Sequence, residues 1–507
     1  NNNGSGSESK TSTVSITMNG GNVVGSIYGG SNELGTIYGS TNVNIFGGEV
    51  SNNVYGGGRG GYISDSAIGT FVVSDVNIVI GDSNSTYTPI IDGSVYGGSA
   101  FGSVNGSENT NTVSSSKTNI TINKGIINNV FGGGQGNNTY TPYVLGNIEV
   151  TVNNGTITNV YGGNDLKGKP NGNITVTINN GTIENTYGGG NETSANETNV
   201  YLNGGTSTKL FGGSNKNGDV VISNVTATGG TCETLYGGNN AGGTTGTTNV
   251  LINGGTINTV YGGGDKTSVT TSTNVVVNNK VDTIFGGSNL SGNIPLSNIE
   301  VNNAIINAVY GGNNQGGKVE TTNVNINGNF IDSVYGGGLK AETTTTNLNL
   351  NYGLIKNVYG GGNEAGANET NVNLGGADII NLFGGSNKSG DIQNTYIKNI
   401  EDFVVSDLSA EFTISQSNIN QIGATDISGS ETITVEINNN TGVTLSEWDL
   451  YILTSESIFD SNWSSSEVEF DSINNIYHID ETNQWYGTNS LNNGTPFTFE
   501  FNIHSYD

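Results

Sequence analysis

The stretch Thr248–Gly264, T-N-V-L-I-N-G-G-T-I-N-T-V-Y-G-G-G, decides the fold. Val250 and Ile252 alternate with Asn249 and Asn253, which is the period of a strand with one apolar and one polar face. The Asn-Gly-Gly that follows carries turn chemistry, because Asn and Gly tolerate positive φ. A second short strand, Ile257 to Tyr261, then ends in a glycine-rich corner. The unit reads as strand, turn, strand, loop.

The same unit recurs along most of the chain, marked by an aromatic before two glycines: Tyr28, Tyr55, Tyr96, Phe131, Tyr161, Tyr187, Phe211, Tyr236, Tyr261, Phe285, Tyr310, Tyr335, Tyr359 and Phe383. From Tyr187 onward each step is 24 or 25 residues, while the earlier steps of 27, 41, 35, 30 and 26 read as the same unit carrying loop insertions. A unit of this size cannot bury its own apolar face, whereas stacked copies cover one another and pair each strand with its equivalent one coil on. The expectation is an all-β chain built on a single-chain β-solenoid of about 14 rungs. Y-G-G-G-N-E-T-S-A-N-E-T-N-V at Tyr187 returns as Y-G-G-G-N-E-A-G-A-N-E-T-N-V at Tyr359, which reads as duplication of a larger block.

On these residues, over roughly 11 to 400, the chain resembles the right-handed parallel β-helix superfamily, and specifically the Gly/Asn/Thr-rich repeat rods of microbial surface adhesins. The resemblance implies the fold. It leaves the function open, since the superfamily includes polysaccharide lyases, phage tailspikes, ice-binding proteins and inert stalks.

Composition narrows the function classes. The 507 residues include 81 Gly but only 5 Pro, and only 11% are charged, which suits neither a helical enzyme nor collagen. No apolar run is long enough for a membrane-spanning helix. Fifteen Lys and Arg against 43 acids, a net charge of −28, argue against a nucleic-acid partner, which needs clustered basic residues. No charged-then-apolar leader precedes the fold, so the chain reads as a mature, secreted form. Cys232 is the single cysteine and offers neither a disulfide nor a thiolate metal cluster, which is compatible with an extracellular location.

Three segments follow. Residues 1–10 read as a flexible polar N-terminal arm, and 11–400 as the β-solenoid rod. Residues 11–19 continue as an alternating strand that either begins the first rung or pairs outside the subunit. After residue 400 the Y-G-G signal stops. Residues 401–507 contain no Lys or Arg but 18 acids, all three Trp and both His. Their alternating runs, such as Glu431 to Asn438 and Phe497 to Ile503, read as an acidic β-sandwich.

Catalytic constellations are scarce. The solenoid offers one arginine, Arg59, no histidine and no adjacent aspartate pair, and general acid/base work needs two carboxyls at a defined separation. Asp165, Asp219, Asp265 and Asp391 fall in loops after the aromatic corner, where they read as solvated acids or as weak calcium ligands. Cys232 lacks the nearby His of a thiol nucleophile. Thr244–Thr248 and Thr343–Thr346 read as loop clusters rather than the regular rows an ice-binding face needs. The aromatic array reads first as a structural ladder closing a corner of the core, and second as an exposed sugar-binding or packing strip. Trp448, Trp463, Trp485 and Tyr486 read as sandwich core or as a glycan platform. His478 and His504 read as surface or strand residues. Asn191, Asn196 and Asn368 stand in N-glycosylation triplets.

The expectation is a non-enzymatic extracellular structural protein without a required cofactor, calcium being the one candidate. It would self-assemble into a homopolymer, a cell-surface filament or sheath, by strand addition from the N-terminal arm. The alternative is a surface adhesin with a glycan-binding C-terminal domain on a solenoid stalk.

Overall fold

A computed structural model describes residues 12–398, except 62, 65–66 and 108–109, and seven strands within 410–504. Every regular element among the described residues is a strand, and the chain makes about 15 parallel turns of a β-solenoid of the parallel β-helix type. It divides into two compact units, Asn1–Thr273 and Asn274–Asp507. The expected arm lies outside the described residues.

In the first unit, one parallel sheet begins with Val14–Met18, Thr41–Ile45, Val76–Ile80, Lys117–Ile122, Asn147–Val152, Ile174–Ile178 and Ala195–Leu202. It continues in the opening halves of Val220–Tyr236 and Thr245–Tyr261. The register is one coil per step, so that Val43, Ile78, Ile120, Val150, Val176, Val200, Val225 and Val250 form a single inward column. All of these side chains are buried. Val14–Met18 pairs in parallel with Thr41–Ile45, which resolves the two readings of 11–19: the strand begins the first rung.

A second parallel sheet carries the closing half of each unit and ends at the aromatic, for example Ile126–Phe131, Thr156–Tyr161, Thr182–Tyr187 and Thr206–Phe211. The corner after it is tight. A Cβ on Gly132 would meet the carbonyl oxygen of Gly162 and Cγ2 of Ile148 in the next coil, so glycine is what allows the backbones to approach. A third, short sheet of Gly35–Ile37, Thr70–Val72, Ser103–Val104 and Tyr143–Val144 completes the early coils, where the repeat is longer.

The expected strand-turn-strand unit is modified in the later coils. Thr245–Tyr261 is one strand of 17 residues, and the Asn-Gly-Gly turn survives as a register shift within it, with Gly255 at φ 87°. The Thr244–Thr248 and Thr343–Thr346 runs are also corrected: Thr245–Tyr261 and Thr343–Tyr359 place them within strands rather than loops, with Thr245, Thr248, Thr343 and Thr346 buried.

The second unit repeats both sheets. The first sheet uses Ile294–Asn302, the opening halves of Val319–Tyr335 and Thr343–Tyr359, Ala367–Leu374 and Ile392–Lys398. The second uses Val281–Phe285, Ile306–Tyr310, the closing halves of the long strands, and Asp378–Phe383. The polarity then changes. Ile392–Lys398 pairs antiparallel with Ala410–Ser417, which leads to Ser430–Asn439 and Pro496–His504, also antiparallel. A separate three-stranded antiparallel sheet holds Trp448–Tyr451, Gln484–Gly487 and Ile476–Ile479. The sandwich reading depends on residues outside the described ones.

Candidate functional site

The aromatic corner is the most regular chemical feature of the chain. Each aromatic follows an inward residue, so the strand alternation turns it outward: Val130 faces the core, Phe131 the outer side of the corner. The coil register then stacks the rings. From Tyr28 to Tyr261 in the first unit, neighbouring centroids lie 4.4–5.2 Å apart with planes within 9°. From Phe285 to Phe383 in the second unit they lie 4.5–4.8 Å apart.

Stacking also covers the ring faces. Interior members are only 2–9% exposed, since each ring covers the face of the next, while Tyr28 and Phe383 are half-buried. No interior ring face is open to stacking by a sugar. Such pairs contribute about 0.5–1.5 kcal/mol each beyond burial.

The phenol oxygens are tied to the corner loops of later coils. Tyr55 donates to Gln135 Oε1 at 2.6 Å and Tyr96 to Asp165 Oδ2 at 3.1 Å, while Tyr161 accepts from Asn215 Nδ2 at 3.3 Å. Burial pushes the hydroxyls of Tyr161 and Tyr359 up to about 12, and those of Tyr55, Tyr96 and Tyr187 higher still. These phenols stay neutral and offer no base.

Beside the rings runs a row of amides. Asn215 Nδ2 donates to Asn191 Oδ1 at 3.0 Å and Asn240 to Asn215 at 2.7 Å, and in the second unit Asn314 donates to Asn289 and Asn387 to Asn363. Asp165 begins the first row, accepting from Asn191 at 2.9 Å. It is 8% exposed, which corrects its reading as a solvated acid, and burial raises its carboxyl above the ordinary 3.8 despite the Asn191 and Tyr96 donors.

The other acids named from sequence are dispersed. Asp219 Oδ1 accepts from the backbone and hydroxyl of Thr244, Asp265 accepts from Tyr236 at 3.5 Å, and Asp391 is exposed. Among the described residues no group of three His, Cys, Asp or Glu gathers into a metal-binding cluster. The four aspartates are not brought together. Arg59 is exposed, and its guanidinium lies 3.5 Å from Asn32 Oδ1. Cys232 lies in the core, where burial pushes its thiol up to about 12 and suppresses the thiolate.

Two regular systems escaped the sequence reading. One is a row of buried hydroxyls: Thr198, Ser223, Thr248, Ser297, Thr322 and Thr346 each donate to the glycine carbonyl 14 residues on, at 2.6–2.7 Å. The signal was the Ser or Thr before the recurring Asn of each T-N-V, T-N-L, S-N-V or S-N-I. The other is the buried corner amide of Asn164, Asn239 and Asn313, whose Oδ1 accepts a backbone N–H of the previous coil at 2.7–2.9 Å. Both satisfy backbone groups that the tight corner removes from water.

Of the glycosylation triplets, Asn191 is occupied in the amide row, Asn196 donates to the Asn171 carbonyl at 3.0 Å, and Asn368 is exposed. Trp485 pairs across strands with Leu450 and His478, and Tyr486 with Asp449 and Tyr477, in the central strand of the small antiparallel sheet. Trp448 begins a neighbouring strand and His504 pairs with Ser430, while Trp463 lies outside the described residues. No family model, curated protein or solved structure matches the chain.

Proposed function

We infer that the chain is a non-enzymatic extracellular structural protein, the subunit of a cell-surface filament or sheath. One observation carries this reading: three repeating polar systems of the corner are engaged along the stack, while the buried hydroxyls of Thr70, Thr245 and Thr343 have no hydrogen-bond partner among the described residues. Tyrosine hydroxyls bond to loops of later coils, amides bond to amides, and buried hydroxyls bond to glycine carbonyls. Each system extends by adding another identical coil, which is the logic of a structural array rather than of a solvent-accessible reaction centre.

Assembly would use strand addition. Among the described residues Val14–Met18 pairs only with Thr41–Ile45, and a parallel strand with one free edge is a template for another. The N-terminal arm, residues 1–10, would add a strand to the acidic C-terminal segment or to a rod end of the next copy. Negative-stain electron microscopy of the full chain should show filaments, and deletion of residues 1–11 should leave folded, unpolymerised protein. Undiminished filaments after the deletion would exclude the arm, and full-length protein that never polymerises would exclude the filament.

A glycan-binding adhesin is the second reading, favoured by the register of the small sheet, which sets Trp485 opposite His478 and Tyr486 opposite Tyr477. Glycan-array binding abolished by Trp485→Ala would support it.

A further inference from the structure

The outward side of the second sheet changes chemistry along the chain. In the second unit one outward row crosses five successive coils as Lys280, Ile305, Phe330, Leu354 and Asp378, each just before an inward-facing residue. Ile305, Phe330 and Leu354 are 49%, 39% and 41% exposed, so three large apolar side chains stand side by side in water. Tyr352 and Ile380 are exposed nearby. The same row in the first unit opens with the exposed Ile90 and Ile126 and then turns polar for five coils: Thr156, Thr182, Thr206, Thr231 and Thr256. Isolated exposed apolar residues need no explanation, but a contiguous stripe does.

The charges at its ends specify what covers it. Lys280 lies two coils before Phe330 and Asp378 two coils after it, both exposed, and neither has an ion-pair partner among the described residues. The row therefore reads cation, apolar, apolar, apolar, anion, a pattern that complements its own reversal. The geometry points to a second copy of this chain, packed face to face on this row with its coils running in the opposite direction.

A twofold axis along the strand direction, through Phe330, sets Phe330 against its symmetry mate and Ile305 against Leu354. It sets Lys280 against Asp378 at both ends. This is the isologous arrangement expected of a homodimer. A parallel arrangement instead opposes Lys280 to Lys280 and Asp378 to Asp378, and like charges at a contact select against it. Beside the axis, Asp332 would approach its own mate, but Lys356 Nζ lies 3.2 Å from Asp332 Oδ1 and offsets that charge.

The size of the contact sets its strength. Five coils at about 4.8 Å and strands of about 17 Å give about 400 Å² per partner, roughly half of a standard interface. The dimer is thus weak and reversible. The net charge of −28 also opposes it at low ionic strength, so added salt strengthens the association by screening the overall repulsion. This lateral contact does not depend on the N-terminal arm proposed for filament growth.

Sedimentation equilibrium of the full chain, and of the chain lacking residues 1–11, tests it. Both should show a concentration-dependent dimer that tightens with salt. Lys280→Glu should weaken it about tenfold or more, and Lys280→Glu with Asp378→Lys should restore it. Ile305→Thr, Phe330→Thr and Leu354→Thr together install the side chain that the first unit already carries in this row; the triple variant should fold, by circular dichroism, and remain monomeric. Under oxidising conditions Phe330→Cys should cross-link to itself. Ile305→Cys should cross-link only when mixed with Leu354→Cys, because Cys232 is buried. A monomer at every concentration, a dimer insensitive to the triple variant, or a double charge swap no better than the single one would each overturn the proposal. Loss of filaments on arm deletion with the dimer retained would separate the two contacts.

Discussion

The two units carry the same inward row beneath different outward rows. Behind the threonines of the first unit stand Ile157, Ile183, Ser207, Cys232 and Ile257, and behind the Lys-Ile-Phe-Leu-Asp row of the second stand Val281, Ile306, Ile331, Ile355 and Ile379. All but the last, Ile379, are buried or nearly so. Inward positions are held to small or branched side chains because the next coil packs directly on them, whereas outward positions are free to diverge. Divergence on a uniform scaffold is where recognition is to be sought.

The largest expected effect tests the shared half of that comparison. Ile183→Ala in the first unit and Ile331→Ala in the second remove fully buried methylenes from the corresponding inward row of each unit. Each should cost about 2–5 kcal/mol, and by similar amounts, while Thr182→Ala or Phe330→Ala one position earlier should cost far less. A repeat array need not unfold in one step, so amide hydrogen exchange of the surrounding coils is the appropriate measurement. A large cost in one unit with tolerance in the other would show that the inward rows are not equivalent.

How far these rows could be read in advance follows from the range of the contacts that set them. Val250 and Ile252 show their inward direction by alternating with Asn249 and Asn253, a signal contained within five residues. Tyr261 and its equivalents show their stacking through the 24- or 25-residue step. Thr245 and Thr248 were hidden in a polar run that looks like loop. Thr248 is buried with its hydroxyl donating to the Gly262 carbonyl at 2.6 Å, and a β-branched side chain so satisfied fits the core as valine does, whereas the buried Thr245 hydroxyl has no hydrogen-bond partner among the described residues. Asp165 is set by a still longer contact, to Tyr96, 69 residues away, which no local pattern announces. The self-complementary row of Lys280 and Asp378 required the coil register itself.

The next effect sharpens the contrast between the polar corner rows. In the first unit the row opens with a carboxylate, Asp165, whereas Asn363 and Asn387 pair as amides in the second. Burial raises the Asp165 carboxyl above its ordinary 3.8, so the folded chain holds that proton more tightly than the unfolded chain does. Its contribution is therefore fully present below about 3.8 and is lost as the pH rises through the folded value. Asp165→Asn should stabilise the first unit at neutral pH and flatten this part of its pH dependence, while leaving exchange in the second unit unchanged. An Asn variant less stable than the parent at neutral pH would mean that the ionised Asp165 is preferred by its Tyr96 and Asn191 donors.

The smallest effect concerns the outermost charges. Glu364 in the second unit lies between Lys340 and Lys388, at 3.8 and 3.2 Å, while in the first unit Glu192 meets, among the described residues, Lys216 at 3.6 Å. Such surface pairs contribute about 0–1 kcal/mol each. Glu364→Gln breaks two of them, but it also removes one negative charge from a chain of net −28, which relieves repulsion and works in the opposite direction. Asp391→Asn removes the same charge where no ion pair is present among the described residues, so the difference between the two variants isolates the Lys340–Glu364–Lys388 arrangement. That difference should be about 0.5–1 kcal/mol at low salt and should vanish at high salt, because exposed charges are screened within about 10 Å or less. The corresponding difference for Glu192→Gln should be about half as large. Thermal melting of the variants at two ionic strengths makes the comparison, and a difference that persists at high salt would mean that Glu364 packs its coil rather than merely balancing its lysines.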